Sequence, residues 1–371
     1  MDKKIAIIAS YLHPIRQKHL IDWYIDFSSN RKTVSLFLGS KSNKIPIAKN
    51  YKINNKREFY KYQFYNLFQS RRFSEKQNRI QPLINYKPEI IHLITSNAFQ
   101  AIEPILENKK IQLIVSFRGF DINVFPYQSE ENLKLTRKIF ERADKLHFIS
   151  YALRDSAIKL GANPDKCMVI YRSIQIDKAN GLQINDLPED HRLLILSVGR
   201  LVWEKGFLYA LETMSILKNK GFDFQYQIAG SGIDREMINY HIKRLRIENE
   251  VSLLGELSRV DVKKKLQAAQ IYFQPSLSEA LSLSLIEASY YGLPIISSEI
   301  GGIPEVVKNN VSGFLSAPCN PEGYALNFIR LMENKDLRYQ MGQSGYKIVQ
   351  NLFSRQGELQ KWDNFYEQLC R

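Results

Sequence analysis

Short apolar runs rich in Ile, Val and Leu recur along the first half of the chain: KIAIIAS (4–10), TVSLFL (33–38), EIIHLI (89–94), IQLIVSF (111–117), KLHFIS (145–150) and KCMVIY (166–171). Stretches with helical periodicity separate them at 15–28, 96–108 and 130–143. Continuous apolar strands joined by helical crossovers predict a parallel sheet covered on both faces. The pattern lapses into the polar RSIQIDKANGLQINDLPEDH (172–191) and then restarts. Strand runs at 193–199, 224–230, 251–255, 271–275, 293–298 and 312–317 alternate with helical stretches near 206–219, 234–246, 259–268 and 283–291. SRQGELQKWDNFYEQL (354–369) reads as an amphipathic helix outside the second alternation. The expected organisation is α/β: an N-terminal domain over 1–176, a linker over 177–191, a C-terminal domain over 192–353 and a closing helix over 354–371, with a cleft between the halves.

Length agrees with this division, since 371 residues exceed what one core usually holds. The three cysteines, Cys167, Cys319 and Cys370, are far apart and form no C-x-x-C pair. That spacing indicates neither a zinc site nor a disulfide framework and fits a reducing cytoplasm. The first apolar run ends after about seven positions and reads as a strand, not a signal peptide. No run approaches the roughly 20 apolar residues that span a bilayer, so a soluble or peripheral protein is expected.

Charge divides the chain unevenly. Residues 1–176 hold 30 Lys and Arg against 15 Asp and Glu, whereas residues 177–371 hold 22 against 23. Within the first half, residues 41–87 carry 12 basic and two acidic residues, with aromatics interleaved in KREFYKYQFYNLFQSRRF. Such a stretch suits an anionic membrane surface. A solvated basic helix with an aromatic core face explains it equally well. Nucleic acid is disfavoured because no nucleic-acid motif accompanies the patch.

The candidate chemistry lies in the second half. In SVGRLVWEKG (197–206) a strand ends before Arg200 and Lys205, at the sheet edge where open α/β folds bind ligands. A forked guanidinium and a mobile ammonium suit a diphosphate, although two cations flanking a turn are also commonplace. IAGSGIDREM (228–237) places Gly230 and Gly232 after the next strand, where backbone can approach a nucleotide. Turn chemistry alone explains such a pair too, and the third glycine of a dinucleotide fingerprint is replaced by Arg235.

SLSEALSLSLIEASYYGLPIISSEIGGIPEVV (276–307) carries Glu279 and Glu287 around an apolar run. On one helix they would stand roughly 12 Å apart along the axis, too far for a glycosidase pair, whose carboxyls sit about 5–9.5 Å apart. They are better suited to different parts of one long ligand. A helix starting near Ala280, Leu281 and Ser282 would offer free N–H groups to a diphosphate. Glu279 would then face a sugar and Glu287 the two ribose hydroxyls of a nucleoside diphosphate sugar.

Taken in order, VGRLVWEKG, the Glu–seven–Glu spacing and GGIPEVV resemble the family 4 retaining glycosyltransferases. The likeness covers 190–350 and, more loosely, the first half. It implies a GT-B fold, two Rossmann-like domains facing across a cleft, with the C-terminal helix packing back toward the N-terminal domain. It also implies that Arg200 and Lys205 neutralise the donor diphosphate, that Glu279 approaches the donor sugar and that Glu287 binds ribose.

The first half carries the resemblance less fully. IVSFRGFDINVF (114–125) is similar to a cleft segment with a Gly-aromatic-Asp core. Arg118 stands where many relatives have His and would meet an acceptor phosphate. Asp121 is a candidate to orient or deprotonate the acceptor hydroxyl, with turn-making as its structural alternative. His92, after an apolar strand, is a candidate acceptor-side residue or a structural one. The glycine-rich first loop of the family is absent: ASYLHPIRQKH (9–19) offers His13, Arg16 and Lys18 instead.

The resulting expectation is sugar transfer from a nucleotide sugar to a carbohydrate or lipid-linked acceptor, in bacterial surface polysaccharide synthesis at the cytoplasmic face of the membrane. No cofactor and no metal are expected, since the active-site stretches contain no Asp-x-Asp; nor is nucleic acid. The resemblance further implies same-face attack, with a diphosphate oxygen taking the acceptor proton. A sugar-nucleotide epimerase would be told apart by interconversion without transfer. An inactive nucleotide-sugar-binding partner subunit would be told apart by binding without turnover.

Overall fold

The computed structural model describes residues 3–9, 23, 26, 34–38, 65–66, 83–107, 110–174 and 192–370. The expected linker at 177–191, the first loop with His13, Arg16 and Lys18, and most of the basic stretch 41–87 lie outside the described residues. The chain forms two compact units, Met1–Ile170 with Leu359–Arg371, and Tyr171–Glu358.

The first unit is built on seven parallel strands: β1 (Ile5–Ala9), β2 (Val34–Leu38), β3 (Tyr65–Asn66), β4 (Ile90–Leu93), β5 (Gln112–Phe117), β6 (Lys145–Phe148) and β7 (Cys167–Val169). Their order is β3-β2-β1-β4-β5-β6-β7. β1 pairs on one side with β2 (Ile5 opposite Val34) and on the other with β4 (Ile5 opposite Ile90). Every residue of β1 and β4 is buried, which is why both read as unbroken apolar runs. The expected helix at 96–108 is broken into a 3-10 turn, the short α-helix Phe99–Ile102 and a second 3-10 turn Glu103–Glu107. Pro104, which has no N–H to give, interrupts the ladder there. The core includes Ile5, Ile7, Trp23, Ile90 and Ile114, closed by Trp362 and Tyr366 of the last helix, Arg355–Cys370.

The second unit has six parallel strands: β8 (Leu193–Val198), β9 (Phe224–Ala229), β10 (Val251–Gly255), β11 (Ile271–Gln274), β12 (Ile295–Ser298) and β13 (Gly313–Ser316). The order β10-β9-β8-β11-β12-β13 reverses direction between β8 and β11. Helices Phe207–Asn219 and Pro321–Met332 bury Leu211, Met214, Tyr324 and Phe328 in its core with Tyr226 and Phe273 of the sheet. Both sheets have the doubly wound parallel order of Rossmann-like domains.

Candidate functional site

The second unit gathers its candidate residues at the reversal point, where open α/β sheets collect ligands. β8 leads to Arg200 and Lys205, and its neighbour β11 leads to Glu279. Three backbone contacts fix these loops. The Leu277 N–H donates to the Glu204 carbonyl at 2.8 Å. At Gly206 (φ 67°) a Cβ would lie 2.0 Å from the Pro275 carbonyl oxygen. At Gly301 (φ 52°) a Cβ would lie 1.9 Å from the Glu279 carbonyl oxygen, which accepts the Gly302 N–H at 3.2 Å. The Gly-Gly-x-Pro-Glu turn is thus the buttress that holds Glu279 in place.

The Gly-Ser-Gly loop has a similar cause. A Cβ on Gly230 (φ 150°) would meet the Gly199 carbonyl oxygen at 1.8 Å, and one on Gly232 the Leu201 carbonyl oxygen at 2.1 Å. Leu201 N–H donates to the Ser231 carbonyl at 2.9 Å. Approach of the neighbouring protein loop therefore accounts for both glycines. Of the two explanations for Gly230 and Gly232, this packing is the turn one, and it stands without a nucleotide.

At the centre, Lys205 Nζ lies 2.5 Å from Glu279 Oε2, with the two side chains 16% and 14% exposed. Gln274, buried at the end of β11, donates from Nε2 to the same Oε2 at 3.2 Å and to Ser276 Oγ at 3.1 Å. Its Oε1 accepts from Ser282 Oγ at 2.9 Å and Ser284 Oγ at 2.8 Å. Lys205 and Glu279, assigned separately to diphosphate and sugar from the sequence, are here ion-paired.

The helix after this loop runs Leu283–Tyr290, with Ser282 as N-cap accepting from the Leu285 N–H at 3.3 Å. The helix matches the stretch expected near 283–291, and its start falls at Leu283, after Ala280 and Leu281. Glu279 stands in the loop ahead of the helix, and only Glu287 is on it. Ala280, Leu281 and Ser282 are buried, and no acceptor among the described residues takes their N–H groups. Half-buried Glu287 accepts no hydrogen bond and forms no ion pair among the described residues. Burial pushes its carboxyl above the ordinary glutamate range, opposed by the charges of Arg259 and Arg172. Arg200 is exposed and has no ion-pair partner among the described residues. No group of three His, Cys, Asp or Glu that could hold a metal occurs among the described residues.

In the first unit, Asp121 Oδ1 accepts the N–H groups of Arg118 at 2.8 Å and Gly119 at 3.0 Å. The carboxylate pins the turn after β5, where Gly119 takes φ 130°. Burial raises its pKa while those two hydrogen bonds oppose the rise. Arg118 Nε donates to the Ile94 carbonyl at 2.8 Å. His92 departs from expectation: it lies within β4, 1% exposed, with both ring nitrogens occupied. Nδ1 is 2.6 Å from Tyr366 Oη and Nε2 is 2.7 Å from Ser116 Oγ. Ser116 Oγ continues to His147 Nδ1 at 2.7 Å, and His147 Nε2 to the Ile170 carbonyl at 3.0 Å.

A carbonyl only accepts, so His147 carries its proton on Nε2 and, being neutral, accepts at Nδ1. Ser116 then donates to His147, His92 donates from Nε2 to Ser116, and Tyr366 donates to His92. Burial, more than the nearby Arg118 charge, keeps both imidazoles neutral, lowering His147 to about 3. His92 is a member of a closed structural chain, corrected here from an acceptor-side residue.

Residues 182–348 match the family model described as glycosyl transferases group 1. This segment belongs to the glycosyl transferases group 1 family. The amylovoran biosynthesis glycosyltransferase AmsK of Erwinia amylovora is 32% identical over 62% of this chain and 57% of its own length. WcaL of Escherichia coli, described as a colanic acid biosynthesis glycosyltransferase, is 28% identical over 54% of this chain and 50% of its own. The chain spans about half the length of the curated relatives it matches. In structure, it superposes on Anabaena HepE, solved in complex with UDP, with TM-score 0.80 at 16% identity over 98% of this chain and 100% of that one. It also superposes on the sucrose-phosphate synthase of Thermosynechococcus elongatus, with TM-score 0.76 at 17% identity over 98% of each chain. The fold is that of the GT-B glycosyltransferases.

The group 1 segment contains Arg200, Lys205, Glu279 and Glu287, all read from the sequence. What that reading missed is Gln274, which ties Glu279 to the helix cap. The available signal was an amide ending the apolar run IYFQ, since a buried amide needs four partners and implies a network around it. Ser116 and His147 carry the same signal inside β5 and β6.

Proposed function

We propose that this protein is a retaining glycosyltransferase that moves a sugar from a nucleoside diphosphate sugar to an acceptor hydroxyl without a metal. The observation that carries the reading is the Lys205–Glu279 pair at the sheet's reversal point, with Glu287 left unpaired on the following helix. In this reading Arg200, Lys205 and the N–H groups of residues 280–282 meet the diphosphate, and Glu287 accepts from the ribose hydroxyls. Glu279 keeps Oε1 for a hydroxyl of the donor sugar. Fixed positive groups at the leaving diphosphate supply what is usually the largest catalytic term.

HepE, solved with UDP and with UDP-glucose, makes a uridine donor the first to test. AmsK, a protein of amylovoran biosynthesis, supports an acceptor in polysaccharide assembly. The basic, aromatic stretch 41–87 supports a lipid-linked acceptor at an anionic, cytoplasmic membrane face. Among the described residues, no helix is long and apolar enough to cross a membrane.

The test is incubation with UDP-glucose, UDP-galactose and UDP-N-acetylglucosamine and a lipid-linked saccharide, with and without EDTA. The reading requires nucleotide release from one donor, unaffected by EDTA, and an α-linked product from an α-linked donor. A β-linked product would remove retention. Failure to release or bind UDP, GDP or ADP would remove the donor site. Co-sedimentation with phosphatidylglycerol vesicles at low salt separately tests the membrane contact.

A further inference from the structure

We infer that Gln274 is a positioning residue for donor turnover, setting which oxygen of Glu279 faces Lys205; the inference rests on the donor-site reading above. Gln274 is 4% exposed, and all four hydrogen-bonding positions of its amide are filled. The orientation of that amide is forced. A carboxylate has no proton to give, so the nitrogen must face Glu279 and the oxygen must face Ser282 and Ser284.

Two consequences follow for the site. Glu279 Oε2 receives both Lys205 and Gln274, while Oε1 has no partner among the described residues. The amide therefore divides the carboxylate into an oxygen spent on the protein and an oxygen left for a ligand. The same amide joins Glu279 to Ser282, the cap whose position sets the start of the Leu283–Tyr290 helix. Glu279 and the helix N-terminus are thereby held in one frame, as a site must be when misplacement of about 1 Å costs roughly 100-fold in rate.

Two substitutions separate this role from helix capping. Gln274→Glu keeps an oxygen to accept from Ser282 and Ser284 but replaces the donor to Glu279 with a second carboxylate. Gln274→Met removes both halves at similar volume. The protein is assayed at pH 8.5 with UDP-glucose as probe, reading nucleotide release at saturating donor, UDP affinity and melting temperature. A crystal structure of Gln274→Glu is determined in parallel.

Both variants are expected to lose turnover by about 10-fold or more, with UDP affinity within about threefold of wild type because Glu287 and Arg200 are untouched. In the Gln274→Glu crystal, the Glu279 carboxylate is expected to be displaced from Lys205. Wild-type turnover in Gln274→Glu with loss only in Gln274→Met would assign Gln274 to capping and overturn the inference. So would an undisturbed Lys205–Glu279 contact in the crystal. Absence of UDP binding by the wild type would instead defeat the donor-site reading, a result the crystal does not depend on.

Discussion

Among the described residues, two polar networks, one in each unit, differ in how they end. The chain Tyr366–His92–Ser116–His147 runs to the Ile170 carbonyl, with each side-chain donor matched to an acceptor. The network Lys205–Glu279–Gln274–Ser282 is held as firmly by its surroundings but leaves one Glu279 oxygen unused. Beside it stand Glu287 and Arg200 without partners among the described residues. Buried polar groups are normally satisfied because an unmade hydrogen bond costs about 1–3 kcal/mol. The unpaired oxygens of Glu279 and Glu287 are not among the buried atoms that lack a partner, so they reach solvent: the closed network is sealed from any ligand, and the open one is accessible to it.

The sharpest way to break this contrast is to disarm the open network. Lys205→Ala should lower turnover at saturating nucleotide sugar by about 10²–10³-fold, since a fixed charge at the leaving group is lost. It should also destabilise the protein by about 1–3 kcal/mol by leaving Glu279 without its cation. Unchanged turnover would take Lys205 out of the chemistry. Next in size is Gly230→Ala. Its Cβ would overlap the Gly199 carbonyl oxygen, so a loss of about 2–4 kcal/mol in urea unfolding is expected. A variant as stable as wild type would show that the two loops are not packed as described.

The closed network makes the opposite prediction, a cost in stability with no effect on nucleotide binding. With His147 depressed to about 3, the unfolded chain binds a proton that the folded chain refuses between about pH 6.5 and 3. Stability is full above pH 6.5 and falls as pH drops through that window, by on the order of 5 kcal/mol from His147 alone. Urea unfolding at pH 7, 5 and 4 should show the decline, and His147→Gln should flatten it. The smallest effect expected is that of Tyr366→Phe. Loss of the donor to His92 should cost about 1–2 kcal/mol and leave UDP affinity at the wild-type value. A fall in affinity would mean that this network also serves the ligand.

Much of this was legible in the sequence because the relevant signals are local. Unbroken apolar runs placed the strands to within a residue or two except β3 (Tyr65–Asn66), which falls inside the basic stretch 41–87, and Arg200, Lys205 and Glu279 follow strands that the runs mark. What escaped depends on contacts between segments. Gly230 and Gly232 each stand against a backbone carbonyl of the neighbouring loop, at Gly199 and Leu201, which no local pattern announces. Lys205 and Glu279, 74 positions apart, look like separate contacts until they are found ion-paired. His92 resembles a site residue until Tyr366, 274 positions away, is found on its ring.

The most direct test of the open network is Glu287→Gln, followed by two measurements on the same sample at pH 7.5. Burial raises the Glu287 pKa, so its ionised form costs stability as pH rises above the ordinary glutamate range. Removing that charge should raise the melting temperature of the nucleotide-free protein. In titration calorimetry the same change should weaken UDP binding by about 10- to 100-fold, as charge-assisted hydrogen bonds to ribose are lost. Higher stability with lower affinity is the predicted pair. A variant that binds UDP as tightly as wild type would contradict the assignment of Glu287, and with it the claim that the unfinished network is the donor site.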